Sequence, residues 1–144
     1  MAKIFFSKSA KETQNLAANL AKKLKAGDIL AFSGDLGGGK TTFVQGLSKG
    51  LNIKEKIQSP TFVLMKIYQI PKKKYALCHI DLYRLKDEKD IDSIGFQDYL
   101  SKKDYICVIE WAQMLKKILP PKTRWIKFAY VDENTRKIRG DFSH

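Results

Sequence analysis

The sequence predicts a three-layer α/β fold in which a mainly parallel mixed sheet lies between two layers of helices. Short apolar runs typical of buried strands alternate with helical segments, an order that builds a parallel sheet covered by helices. Two pairs of neighbouring strand candidates are separated by short turns, and such hairpins add antiparallel strands. With 144 residues the chain can bury a sizeable core, and we expect a single domain over residues 1–144.

The first elements are a short strand candidate, KIFF at residues 3–6, and a helix. Ser9 and Glu12 have the spacing of a capping box, in which two side chains satisfy free backbone N–H groups at a helix start. The helix has an apolar face with a four-residue repeat, and Gly27 marks its end. The repeat consists of Leu16, Leu20 and Leu24.

A glycine-rich loop separates the second strand from the second helix. The stretch GDLGGGKT, residues 34–41, has the spacing G-x-x-x-x-G-K-[ST] of a phosphate-binding loop. The apolar run at residues 29–32 predicts a buried strand over 28–33 before it, and the segment from Lys40 to about residue 51 predicts the helix after it. A flexible turn is the alternative, but it would require neither the full motif nor both flanks.

This loop predicts a site for nucleotide phosphates. Glycines let successive backbone N–H groups turn toward a phosphate, and the helix N-terminus adds free donors. In such loops the lysine, here Lys40, contacts the β- and γ-phosphates, and the following hydroxyl residue, here Thr41, ligates Mg²⁺. We therefore expect a P-loop NTPase fold that binds ATP or ADP with Mg²⁺. The residues expected around the phosphates are Asp35, Leu36, Gly37, Gly38, Gly39, Lys40, Thr41 and Thr42.

The second half of the chain supplies the remaining strands. TFVLMKIYQI at residues 61–70 and YALCHIDLYRL at 75–85 predict an antiparallel pair joined by the turn PKKK. A polar helix around 87–94 and a helical piece at 96–100 precede YICVIEW at 105–111, a strand of the fully buried type.

The last segments predict a helix and a hairpin. AQMLKKIL at residues 112–119 predicts a helix that the following prolines end. RWIKFAYV at 124–131 and RKIRGDF at 136–142 predict two strands around the turn DENT.

Two carboxylates end buried strand candidates downstream of the loop: Asp81 follows YALCHI, and Glu110 follows YICVI. Each by itself could mark a strand that emerges into water. Together they suit a Mg·nucleotide site, because open α/β sheets bind ligands at the C-terminal ends of their strands. We expect Asp81 to hold the magnesium shell and Glu110 to orient the attacking water or to add to that shell. The candidate metal ligands are thus Thr41, Asp81 and Glu110.

Weaker signals add further candidates. Thr61, in Ser59-Pro60-Thr61, offers a hydroxyl to Mg²⁺ or the γ-phosphate, although the triplet also suits an ordinary turn. Trp111 is either a core residue or a lid beside the phosphates. Other residues expected to approach the nucleotide are Glu12 or Thr13 in the first helix and Arg136 near the last turn.

The chain is strongly basic, with 27 Lys and Arg against 15 Asp and Glu and a formal net charge of +12. Only four of the basic residues are arginines, and the lysines are scattered, a pattern typical of a solvated surface. A basic face that meets an anionic partner such as RNA is the alternative.

Cys78 and Cys107 lie in separate apolar runs without a C-x-x-C pair, so we expect buried reduced thiols and no zinc site. No window approaches about 18 apolar residues. We therefore expect a cytoplasmic protein without a membrane partner.

Five stretches, in the order GDLGGGKTTF, SPTF, HIDLYRL, IGFQDYL and VIEW, closely resemble the TsaE (YjeE) family of small bacterial ATPases. The resemblance implies a P-loop fold that binds Mg·ATP or Mg·ADP. It also implies work with the TsaB and TsaD subunits in threonylcarbamoyl modification of tRNA adenosine, with tRNA reached indirectly through the complex. TsaD transfers the threonylcarbamoyl group, and ATP hydrolysis by TsaE resets the machine between turnovers.

The resemblance also implies roles for individual residues. Gly38 replaces the usual alanine of the family loop, and Ala112 and Gln113 follow the tryptophan where the family commonly has an acid. The implied roles are Lys40 and Thr41 for phosphate and magnesium, Asp81 as the Walker-B-like acid, Glu110 as the second acid, Thr61 as a switch-like residue, and Trp111 as the indole beside the site.

Two other functions share the loop. A small-molecule P-loop kinase needs an acceptor pocket and usually an arginine-rich lid, and the four scattered arginines argue against it. A nucleotide-dependent RNA-binding module suits the charge, but it leaves Asp81 and Glu110 without a purpose.

Overall fold

The computed structural model describes residues 2–58, 65–83, 85 and 95–143. Thr61 with its SPTF segment, Arg84 and the helix predicted at 87–94 lie outside the described residues. The described elements are, in chain order, β1 (Lys3–Ser7), α1 (Ala10–Ala21), β2 (Ile29–Gly34), α2 (Lys40–Gly50), β3 (Met65–Gln69), β4 (Ala76–Asp81), α3 (Phe96–Ser101), β5 (Tyr105–Glu110), a 3-10 helix (Ala112–Leu115), β6 (Arg124–Tyr130) and β7 (Arg136–Gly140).

The described strands form one sheet in the order β1-β7-β6-β2-β5-β4-β3. Its four central strands, β6, β2, β5 and β4, pair in parallel. The β3–β4 and β6–β7 hairpins and the β1–β7 pair add antiparallel neighbours at the two edges. The mainly parallel mixed sheet is therefore as predicted, and the two hairpins lie where the short turns placed them.

Helices cover both faces of the sheet and make the three layers. Helices α1 and α2 pack on one face over a core that contains Phe32, Phe43 and Phe128, whose ring centres lie 5.0–5.5 Å apart. The 3-10 helix and α3 supply Leu115 and Leu100 to a second core on the other face. The apolar strands are buried from both sides, as their continuous apolar runs predict.

Close packing against α1 fixes the helix that follows the glycine loop. A Cβ at Gly46 would lie 2.4 Å from the carbonyl oxygen of Gln14, and one at Gly50 would lie 2.6 Å from that of Ala18. Two glycines four residues apart thus let the backbones approach where larger side chains would separate them. This contact fixes how the second half of α2 packs on α1 and so orients the helix that begins at the loop.

The capping box of α1 forms as the sequence predicts. The Ser9 hydroxyl accepts a hydrogen bond from the Glu12 N–H at 3.0 Å, and the Glu12 carboxylate accepts one from the Lys8 N–H at 2.6 Å. The helix ends at Ala21, earlier than the predicted Gly27. The reason is a tightened last turn, in which the N–H groups of residues 23 and 24 bond to carbonyls three residues back.

The helix predicted at 112–119 is wrong in type and length. Only the 3-10 helix Ala112–Leu115 forms, and turns follow it. Trp111 enters it in the left-handed region, and Pro120 disfavours helical geometry at the residue before it, so the segment is bounded by non-helical backbone at both ends.

Cys78 and Cys107 are buried free thiols at paired positions of β4 and β5. A hydrogen bond with Cys107, and then burial, raises the pKa of Cys78. None of the helices in the described part of the chain combines the length and apolar character needed to span a bilayer.

Candidate functional site

The glycine-rich loop curves from the end of β2 to the start of α2. Gly37 and Gly39 have φ values of 75° and 98°, and Gly39 is the N-cap residue of α2. Gly34, at φ 117°, passes so close to β6 that a Cβ would lie 1.9 Å from the Phe128 carbonyl oxygen. The backbone can therefore follow this path only with glycine there, and the free N–H groups of α2 face the opening.

Lys40 is nearly buried, and its ammonium group is held by the loop. Nζ donates to the carbonyl oxygens of Gly34 at 3.0 Å and Asp35 at 2.6 Å, and it lies 3.8 Å from the centre of the Trp111 ring. Burial lowers the pKa of Lys40, while the nearby carboxylates, Glu110 first, act to raise it. The positive charge of Lys40 thus lies against the loop, in a position that is partly shielded from solvent.

Glu110 ends β5 and joins the loop to the sheet. Its side chain is 2% exposed, and Oε1 accepts a hydrogen bond from the Thr41 hydroxyl at 3.0 Å. Its other oxygen, Oε2, lies 2.5 Å from His79 Nε2. The two residues that the sequence proposed as metal ligands on separate elements, Thr41 and Glu110, are therefore in direct contact.

Asp81 lies at the end of β4, one strand further from the loop, and is paired in register with Glu110. Its Oδ1 accepts a hydrogen bond from the Tyr83 N–H at 3.0 Å. Burial raises the pKa of Asp81; the bond from Tyr83 acts against the rise, and the charge of Glu110 adds to it. Asp81 and Glu110 thus lie side by side at the C-terminal ends of two parallel strands, where their negative charges repel each other. A cation bound there would relieve this repulsion.

Trp111 turns away from β5 in the left-handed region, at φ 59°. Its ring contacts Lys40 and also packs on the Tyr83 ring, with centres 5.0 Å apart, and against the second core. The ring is therefore a core residue, as one of the two interpretations expects, and it also borders Lys40, whereas its role as a lid beside the phosphates stays a prediction.

A pocket of 530 Å³ opens in front of the loop. Four segments line it: the loop with the start of α2, the β1–α1 junction, the end of β5 with the residue after it, and the turn between β6 and β7. The lining residues are Lys8, Ser9, Ala10, Thr13, Leu36, Gly37, Gly38, Gly39, Lys40, Thr41, Thr42, Glu110, Trp111, Glu133, Asn134 and Arg136.

Arg136 ties the β6–β7 turn to the loop. Its Nε donates to the Gly37 carbonyl oxygen at 2.6 Å, and its Nη1 donates to Asp132 and Thr135 carbonyl oxygens. The guanidinium also lies 4.5 Å from the centre of the Tyr130 ring. Asp35 completes the link, because its carboxylate accepts a hydrogen bond from the Tyr130 N–H at 3.2 Å.

The sequence-based candidates differ in where the fold places them. Thr13 lines the pocket and Glu12 is engaged in the helix cap. Lys8, Ser9, Glu133 and Asn134 were not predicted as individual lining residues, although the nearby Thr13 and Arg136 were expected to approach the nucleotide. His79 was also missed, although a histidine inside a buried strand run is itself a signal of a polar partner.

The residues present fit a Mg·nucleotide. The loop offers glycine backbone that a Cβ would fill, a helix N-terminus and one concentrated cation, which together suit phosphates. Within the described residues no group of three or more His, Cys, Asp and Glu is arranged to hold a metal. The two neighbouring carboxylates, Asp81 and Glu110, and the Thr41 hydroxyl suit Mg²⁺, which takes one or two carboxylates together with substrate phosphates and water.

Comparison with known proteins decides the family. The family model described as "Threonylcarbamoyl adenosine biosynthesis protein TsaE" matches residues 7–138. The chain belongs to the TsaE family. The TsaE-family protein of Rickettsia prowazekii, named tRNA threonylcarbamoyladenosine biosynthesis protein TsaE, is 38% identical over 129 residues, covering 89% of this chain and 87% of that protein. The Bacillus subtilis protein of the same name is 35% identical over 130 residues, covering 88% and 77%.

A solved structure agrees with the TsaE assignment. The structure of Bacillus subtilis YdiB has a TM-score of 0.78 and 28% identity, and the match covers 97% of this chain and 84% of that one. The predicted P-loop NTPase fold is thereby confirmed. In this TsaE-family chain, the P-loop, Thr41 and Glu110 meet at one edge of the sheet.

Proposed function

We propose that this TsaE-family protein is a magnesium-dependent ATPase that acts with the TsaB and TsaD subunits in the biosynthesis of threonylcarbamoyladenosine in tRNA. The observation that carries the ATPase proposal is the contact between Thr41, the hydroxyl residue of the loop, and Glu110. A purely structural loop has no need of a buried acid against that hydroxyl. The place in tRNA modification is supported by the names of the relatives.

The binding step uses the loop and the cation. The glycine backbone and the start of α2 receive the phosphates, and Lys40 exchanges carbonyl oxygens of its own loop for phosphate oxygens, which are stronger acceptors because they are charged. The nucleoside occupies the remaining pocket between the β1–α1 junction and the β6–β7 turn.

The chemical step transfers the γ-phosphoryl group to water. The water oxygen forms a bond to the γ-phosphorus, and the bond between the γ-phosphorus and the β–γ bridging oxygen breaks. ADP leaves with the bridging oxygen and the electron pair of the broken bond. Glu110 orients the water and accepts its proton or a hydrogen bond from it. Thr41, Asp81 and Glu110 would hold Mg²⁺, which when bound neutralises charge on the phosphates.

Steady-state phosphate release tests the proposal. The purified protein is assayed with ATP and Mg²⁺ alone, with the TsaB–TsaD pair, and with the pair and tRNA; Glu110→Gln is the matched variant. We expect turnover that requires Mg²⁺ and is lost in Glu110→Gln. Transfer of the γ-phosphate to a small acceptor instead of water would favour the kinase alternative. RNA binding that depends on nucleotide but occurs without turnover would favour the binding module.

A further inference from the structure

Behind the site, a second polar side chain contacts Glu110. His79 lies on β4 with 0% of its side chain exposed, and its Nε2 is 2.5 Å from Glu110 Oε2. Glu110 Oε1 faces the other way, toward the Thr41 hydroxyl. The carboxylate is thus held between an imidazole on its buried side and the loop hydroxyl on its pocket side.

The surroundings of the second imidazole nitrogen, Nδ1, indicate which ring nitrogen of His79 carries the proton. Nδ1 of His79 is buried and has no hydrogen-bond partner within the described residues. A proton on Nδ1 would be a buried donor without an acceptor, whereas a bare Nδ1 leaves only an unused acceptor. The economical arrangement is a single proton on Nε2, donated to Oε2 of Glu110.

We propose that His79 is a positioning residue that fixes the carboxylate of Glu110 with Oε1 directed at Thr41. This inference rests on the proposed role of Glu110 toward Mg·nucleotide. A glutamate has several rotatable bonds, and its rotamer freedom is restricted by one buried donor. His79 and Glu110 are neighbours because β4 and β5 pair in parallel, with His79 opposite Val108 and Asp81 opposite Glu110.

A hydrogen-bonded partner of a metal-binding side chain has a measurable effect. Removing such a partner typically lowers metal affinity or activity by about 10- to 100-fold. His79 has no place at the pocket surface, so its loss should leave the binding of nucleotide without metal largely intact. The effect should therefore appear in the Mg²⁺ dependence of binding and in kcat rather than in metal-free affinity.

The test uses His79→Leu, which removes the donor but keeps an apolar side chain, and His79→Gln, which keeps an N–H donor near the position of Nε2. Each is compared with Glu110→Gln and with the His79→Leu/Glu110→Gln double variant. Val108→Ala is the control for loosened packing, because Val108 is buried beside His79 in the neighbouring strand. The readouts are ADP affinity with and without Mg²⁺, kcat for ATP, and thermal unfolding.

We expect the Mg²⁺-dependent gain in ADP affinity to fall about 10- to 100-fold in His79→Leu and to be largely restored in His79→Gln. The double variant should match Glu110→Gln, because a residue that acts through Glu110 has nothing left to position. A normal Mg²⁺ dependence in folded His79→Leu, an equal loss in Val108→Ala, or an added loss in the double variant would overturn the proposal.

Two further results keep the outcomes separate. If His79→Leu does not fold, imidazole nitrogen NMR of the unaltered protein decides: a proton on Nε2 whose signal shifts in Glu110→Gln supports the proposal, and an Nε2 that carries no proton overturns it. If the unaltered protein shows no ATP turnover with its partners, the proposed hydrolysis fails, while the Mg²⁺ dependence of ADP binding still tests His79.

Discussion

The ammonium group of Lys40 lies 3.8 Å from the centre of the Trp111 ring, and Trp111 directly follows Glu110 in the sequence. The end of β5 therefore contributes to the loop twice: its last residue contacts Thr41, and the next one covers Lys40. A cation over an aromatic face is stabilised by the ring's negative face. The Trp111 ring thereby helps to hold the ammonium group of Lys40 in place at the loop.

Replacing Lys40 should separate ligand binding from folding. In Lys40→Met the apolar stem remains; two hydrogen bonds to loop carbonyls are lost, but a buried charge is removed as well, so we expect the fold to persist with the free energy of unfolding lowered by no more than about 3 kcal/mol. Hydrogen bonds to a charged group contribute about 1.5–3 kcal/mol, so ATP affinity should fall roughly 10- to 100-fold and hydrolysis should be lost. Urea unfolding and nucleotide titration measure the two effects. An unfolded variant, or a folded one with full activity, would contradict this prediction.

The two acids should have different roles. Asp81 lies one strand behind the pocket, whereas Glu110 lines it and contacts Thr41. We expect Asp81→Asn to weaken the Mg²⁺ dependence of nucleotide binding while turnover persists at saturating Mg²⁺. Glu110→Gln should weaken that dependence too, and it should also abolish hydrolysis at saturating Mg²⁺, because Glu110 is the acid expected to orient the water. Binding titrations at several Mg²⁺ concentrations, together with turnover, measure both. Turnover that saturating Mg²⁺ restores in Glu110→Gln would show that this division is wrong.

The difference in stability between Asp81→Asn and the unaltered protein should depend on pH, in a direction set by the pKa of Asp81. Burial raises the pKa of Asp81 above its ordinary value of 3.8, so the folded state holds that proton more tightly than the unfolded state. The stability contributed by protonated Asp81 is present below 3.8 and is lost as the pH rises through the raised pKa. Without Mg²⁺, Asp81→Asn should therefore be more stable than the unaltered protein at pH 7 and equal to it at about pH 3.

Asp132→Asn is the matched control for that measurement. Hydrogen bonds, first from the Asn134 N–H, lower the pKa of Asp132, so its ionised form contributes stability that is lost as the pH falls. We expect Asp132→Asn to be less stable at pH 7, with the difference vanishing in acid. Urea unfolding across this pH range measures both variants, and a shared sign would refute the assignment.

The isolated protein should hydrolyse ATP slowly, and its partners should accelerate it. An arginine supplied to the transferred phosphoryl group can raise the rate by about 10³- to 10⁵-fold. In the structure, Arg136 directs Nε and Nη1 at backbone carbonyls of the loop and the turn. Arg136 therefore braces the loop, and we expect the missing charge to come from the interface with TsaB and TsaD.

Two arginine variants test whether Arg136 only braces the loop and whether Arg84 supplies the missing charge when the partners are present. Arg136→Ala should weaken nucleotide binding by the protein alone, because Gly37 loses its brace. Arg84→Ala, just beyond Asp81 in sequence, should leave binding intact and reduce the stimulation by TsaB and TsaD. Phosphate release with and without the partner pair measures both. Rapid turnover by the protein alone would remove the need for a partner, and stimulation that survives Arg84→Ala would move the missing charge elsewhere.

Gly38→Ala tests whether the extra glycine of this loop has a packing reason. A Cβ at this position would lie 2.9 Å from the Phe128 Cβ and 3.0 Å from the Asp35 carbonyl oxygen. Reduced flexibility by itself would stabilise by about 0.4–1 kcal/mol, but crowding costs typically 1–3 kcal/mol, so we expect a net loss. Chemical unfolding measures the sign, and a more stable variant would show that the loop can shift away from β6.

Local sequence determined the elements and the chemistry at the loop. The glycine spacing, the capping box of Ser9 and Glu12, and the apolar runs each act over a few residues, so they predict a strand, a turn and a helix without knowledge of the rest. The places where this failed are also local. The segment 112–119 has helical composition, but it is confined between the turn at Trp111 and Pro120.

Tertiary structure decided how segments distant in sequence are brought to the loop. The order β1-β7-β6-β2 brings the β6–β7 turn and the β1–α1 junction, both distant in sequence, to the pocket. The parallel pairing of β4 with β5 places His79 against Glu110 and leaves Asp81 at the adjacent position. Strand order and register follow from how the whole set of apolar faces packs into two cores, which no short stretch of sequence specifies.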